Sequence, residues 1–171
     1  MPRASLSVDV KVRTVVDEDA DASHLGSLET TSRLGDFPYP SADSRPDYDC
    51  GRRVWYRPAD PFPPTDGSPI MQALHNAKAD RDRLYQLHGG LWTFVGIVVS
   101  AEVTRTDASG RKWTRTHDAS VWGYESDSGR AYLVDEATSI AQDVKADAQA
   151  DGVSSEAWER ALAAAIEAWD A

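Results

Sequence analysis

The chain has 171 residues, 41% of them hydrophobic and 27% charged, with 28 Asp and Glu against 18 Lys and Arg for a formal charge of −10. That balance excludes a general nucleic-acid binder, because phosphate binding needs clustered cations that release counterions, and it argues equally against an anionic membrane surface. The composition is that of a globular protein, and the length predicts one domain that buries roughly two-thirds of its unfolded surface.

The first residues carry no apolar run of signal-peptide length, and the longest apolar stretch, near 91–103, is too short to span a bilayer. A cytoplasmic location is therefore expected. Residues 6–16 alternate, with Leu6, Val8, Val10 and Val12 on one face and Ser7, Asp9, Lys11 and Arg13 on the other. This pattern predicts a strand with one wet face. An acidic turn comes next. Asp17, Asp19, Asp21 and Ser23 match positions 1, 3, 5 and 7 of a calcium loop, but Ala22 stands where glycine is needed and Leu28 where the bidentate glutamate belongs, so a solvated turn is the expectation.

Between Pro38 and Pro69 lie eight of the nine prolines, together with Tyr39, Tyr48, Trp55, Tyr56 and Phe62. Proline removes a ladder donor and restricts its predecessor, so 33–69 is expected to be a long irregular insertion whose rings pack on something. The lone Cys50 excludes an internal disulfide. Arg52 and Arg53 would favour its thiolate, but a nucleophile also needs a histidine that sequence alone does not place.

Ser68 as N-cap and Pro69 at the first helical position predict a helix over 70–88 with a stripe of Ile70, Leu74, Ala77, Leu84 and Tyr85. Residues 92–105 are apolar on both faces, as in a central strand, and 112–121 form the returning strand after a DASG turn, with Trp113 and Val121 as its expected packed positions. Two helices close the chain. The first, 129–150, has Ser128 as expected cap and Leu133, Ala137, Ile140, Val144 and Ala148 as its stripe; the second, 155–169, has Ser154 as cap and Val153 stapled to Trp158. The expected fold is α+β: a small antiparallel sheet covered by the C-terminal helices, with 33–69 inserted as a decorated loop.

Phosphate-loop, zinc-helix and nucleophile-elbow motifs are lacking, and His24, His75, His88 and His117 show no metal spacing. WTFVGIVVSAEV at 92–103 followed by VWGYESDSGRAYL at 121–133 resembles small uncharacterised proteins of actinobacterial phages, plasmids and integrated elements, whose pattern is an FVGV strand, a returning strand and LWGIESDS entering an acidic helix. DADASHL resembles their early acidic turn. The resemblance covers about half of the chain and implies a mobile-element setting but no chemistry.

Charge is segregated: residues 117–171 hold 12 acids and 3 cations, whereas residues 1–116 hold 16 and 15. The expected function is a non-catalytic accessory protein that binds a host or phage protein, inhibiting a defence or nucleic-acid-handling partner through its acidic face. Candidate partner-binding residues are Arg52, Arg53, Trp55, Tyr56 and Arg57, of the types that dominate interface hot spots, and Glu125, Asp127, Asp135, Glu136 and Asp143 on the acidic end. No cofactor, metal or direct nucleic-acid contact is expected. Two alternatives stay open: a small enzyme using Glu125, Asp127 and a histidine, and a virion or assembly accessory protein.

Overall fold

The computed structural model describes residues 4–31, 33–39 and 54–170. The expected α+β class is present, with two antiparallel sheets and three helices. The chain divides into two compact units, Met1–Glu18 with Thr93–Ala171 and Asp19–Trp92, so the excursion expected to start at the composition break near residue 33 belongs to a unit that starts at residue 19.

In the first unit, β1 (Ser5–Val16), β5 (Phe94–Thr106) and β6 (Lys112–Glu125) form one antiparallel sheet in the order β1-β5-β6. The central place of β5 matches its apolar run, and residues 94–99 are all buried. Register puts Val8, Val10 and Val12 opposite Val103, Ala101 and Val99, so one sheet face is continuous. Helices α2 (Arg130–Ala150) and α3 (Ser155–Ala168) cover that face, adding Leu133, Ala137, Ile140, Val144, Trp158 and Leu162 to the core.

Two local expectations change. The strand β6 runs four residues further than Val121, because a bulge opposite Gly96 absorbs one extra residue and flips the parity of the residues after it. Tyr124, opposite Val95, thereby reaches the core face, while Trp113 and Val121 each remain 44% exposed on an edge strand. Gly96 is required here by close approach: a Cβ would lie 2.3 Å from the indole of Trp122, which rests on the glycine from the sheet's other face.

The helix starts also shift. In α3, Ser154 Oγ accepts from Ala157 N at 3.2 Å, as its capping role predicts. In α2 the cap position is Gly129 instead of Ser128, with no side-chain bond. Ser128 N donates to the carbonyl of Glu125, closing the ESDS turn, and Ser126 ties that turn to Thr93 through two bonds of 2.8 and 2.9 Å. The ESDS residues thus clasp the start of the central strand.

The second unit contains a smaller sheet in the order β2-β4-β3, formed by β2 (Ser27–Glu29), β3 (Phe37–Pro38) and β4 (Trp55–Arg57), and helix α1 (Ile70–His88). Here the cap is Pro69, whose carbonyl accepts from Gln72 and Ala73, and Ile70 is exposed while Ala77 and Leu84 are buried. Tyr56 is fully buried and donates to the carbonyl of Leu25 at 2.7 Å. Phe37 packs near Tyr56 and Phe62, with ring centroids 6.4 and 5.3 Å away, so part of the Pro-aromatic segment does pack inward.

Candidate functional site

The ten residues expected at a partner surface fall into both units. Arg52 and Arg53, with Cys50, lie outside the described residues. Trp55, Tyr56 and Arg57 form β4 of the second unit. Burial removes Tyr56 from any surface role and pushes its hydroxyl pKa well above the ordinary tyrosine value. Arg57 is engaged within its own unit: Nε and Nη2 grip Asp36 at 3.1 and 3.0 Å, and Nη1 meets Glu29 at 2.8 Å. That fork holds the Asp36 carboxyl below the usual aspartate range. Of this group, Trp55 is the half-buried residue left at the surface.

The acidic set lies in the first unit. Glu125 ends β6, Asp127 is exposed in the turn, and Asp135, Glu136 and Asp143 lie on α2. Glu136 accepts from the Tyr124 hydroxyl at 2.7 Å, and desolvation together with that carboxylate pushes the tyrosine pKa up to about 12. Asp135 and Asp143 are exposed.

A polar cluster that sequence reading missed sits where α2 ends. The last turn of α2 holds no cation, yet Asp147 and the cap residue Asp151 put negative charge at the negative end of the helix dipole. The sheet supplies the cations. Arg115 Nη1 meets Asp151 at 2.6 Å, His117 Nε2 meets its other oxygen at 2.8 Å, and Arg105 Nη2 donates to the Asp151 carbonyl at 3.2 Å. His117 Nδ1 also faces Asp147 at 3.9 Å. The available signals were alternation, which puts Arg115 and His117 on one strand face, and the four-residue spacing of Asp147 and Asp151. Joining them needed the register of the fold.

Chemically this is a His-carboxylate pair with both carboxylate oxygens occupied, so it works as a clasp between sheet and helix turn. Its bonds to His117 and Arg115 hold the Asp151 carboxyl below 3.8. A depressed folded-state pKa contributes stability above the unfolded value and loses it as pH falls through the folded one. Melting temperature should therefore fall as pH drops below about 4, and Asp151→Asn should flatten that dependence. An unchanged pH profile in the variant would remove the clasp from the account of acid stability.

The acidic turn before η1 (Ser23–Leu25) is capped locally, with Asp21 accepting from Ser23 N and Oγ at 2.8 and 2.9 Å. Asp21 and Ser23 also line an open cleft of 440 Å³ with Ser27, Leu84 and His88. The serine proton there is directed at a carboxylate, which is a turn cap and not a nucleophile-base pair. Among the described residues no group of three or more His, Cys, Asp or Glu is placed to hold a metal ion, and no helix is long and apolar enough to cross a membrane. No protein family, curated protein or solved structure matches the chain.

Proposed function

We propose that this chain is a non-catalytic protein-binding accessory protein whose acidic helical layer occupies a basic surface of a host or phage protein, inhibiting a defence or nucleic-acid-handling partner. The mobile-element setting rests on the resemblance of the FVGI strand and WGYESDS turn. The observation that carries the binding reading is how the cations of the helical layer are spent. Arg130 donates to the carbonyls of Ile166 and Trp169, Lys145 pairs with Glu159, and Arg160 pairs with Glu156. Asp135, Asp143 and Glu167 stay exposed beside them. Each cation therefore closes the helix pair or screens a local acid, and the remaining field is anionic, which steers a cationic partner into encounter.

The test is capture from an actinobacterial lysate by the full chain and by an Asp135→Asn, Asp143→Asn, Glu167→Gln variant. A stoichiometric partner should bind the parent, be displaced by duplex DNA, and be lost between about 0.05 and 0.5 M salt, over which the screening length falls more than threefold. The neutralised variant should retain at most about a tenth of it, a change of ~1.4 kcal/mol. Equal capture by both chains, or capture indifferent to salt and DNA, would remove the proposal.

A further inference from the structure

We infer that the outer edge of β6 accepts an extended basic segment of a partner protein as a fourth strand of the sheet. The inference rests on the protein-binding reading above and names how the partner is held. In the order β1-β5-β6, β6 pairs only with β5. Its register is regular over Lys112–Val121, a run of roughly 34 Å at about 3.4 Å per residue. About every second residue of such a strand directs both its backbone N–H and its C=O away from the partner strand. A strand edge of this length is a template for addition unless it is covered or blunted, and nearly every residue of this stretch is exposed.

The surroundings of the edge select the occupant. On the helix side, Tyr124 touches Glu136 and His117 faces Asp147, so the flank of α2 that carries Glu136, Asp143 and Asp147 overlooks β6. These positions are spaced by seven and four residues, and Asp143 lies between the two contacts on the same flank. A lysine or arginine on the helix side of an added strand has a stem long enough to bring its charge to this row. On the other side, Trp122 rests on Gly96 with its Nε1 donating to Ser120 at 3.2 Å, and it is 48% exposed. It offers an apolar shelf to the alternate residues. The matching ligand is a strand with basic residues on one face and apolar ones on the other.

A second copy of this chain fits less well. Two β6 edges paired about a two-fold axis would place their α2 flanks side by side on the same sheet face. Each flank brings Glu136, Asp143 and Asp147, so self-pairing opposes like charges where a basic segment would neutralise them.

The probe is a capped decapeptide alternating lysine with valine or threonine, titrated into the full isotope-labelled chain. Expected are amide shifts and slowed hydrogen exchange at alternate residues of 112–121. A glutamate twin should leave these amides unchanged, Asp143→Lys should weaken binding about tenfold, and N-methylation of the peptide's alternate amides should abolish it. The melting curve of Asp143→Lys shows whether its fold is intact, and the N-methylated peptide tests strand addition without touching the protein. Binding that survives N-methylation, shifts confined to α2, or dimerisation through β6 would overturn the inference. If a DNA-displaceable partner is captured but the peptide leaves 112–121 unmoved, the edge inference falls alone. If the peptide adds to β6 while no such partner exists, the acidic-layer reading falls and the edge stands.

Discussion

Trp158→Ala is expected to destabilise the first unit by ~3–5 kcal/mol, the cost of deleting a fully enclosed large side chain whose cavity cannot collapse. Trp158 has no exposed surface and lies in the core with Val10, Val12, Ile97, Leu133 and Leu162, so truncation removes contacts to both the sheet and the facing helix. Its indole N–H is buried without a hydrogen-bond partner, as is that of Trp169. An orphaned buried donor itself costs ~1–3 kcal/mol. Trp158→Phe should therefore cost much less than alanine, because the lost volume is offset by removal of that donor. Urea titration followed by circular dichroism measures both, and an alanine cost below ~1.5 kcal/mol or a phenylalanine cost equal to it would contradict this account of the core.

In the second unit the largest effect is expected from Gly26→Ala. Gly26 has φ 105° and ψ −169°, a region essentially closed to residues with a Cβ and worth of order 1–3 kcal/mol in strain. An added Cβ would lie 2.4 Å from the Arg57 carbonyl and 2.7 Å from the Tyr56 ring. The first obstacle is backbone within β4 and the second is a fully buried ring, so neither swings aside. Strain and overpacking together put the expected loss at ~3 kcal/mol or more. The readout is amide-exchange protection at Leu28 and Tyr56, which face each other in the β2-β4 ladder. Protection equal to that of the parent would show that the turn relaxes around the methyl group.

Much of the first unit was legible because its signals are local. Period-two alternation marks β1, the apolar run marks the central strand, and α3 declares itself through Ser154, Val153 and Trp158 within a few consecutive positions. Helix starts were less legible where two adjacent residues competed. Ser68 and Ser128 are good caps by type, yet Pro69 and Gly129 occupy the cap positions, since the Ser128 amide is spent on closing the ESDS turn. The end of β6 was misread because one bulged residue inverts the parity on which burial was inferred, which moved Tyr124 inward and left Val121 at the edge.

The candidate sites divide along the same line. Sequence alone determined that negative charge concentrates after residue 117 and that cations and aromatics gather near 52–57, because composition needs no coordinates. Only the tertiary structure decided what those charges do. It enclosed Tyr56, spent Arg57 on Asp36 and Glu29, and joined Arg115 and His117 to an aspartate more than thirty residues away. The physical reason is range: residue type and spacing govern capping, periodicity and net charge over a few positions, whereas burial and ion pairing depend on which distant segments the sheet register brings together.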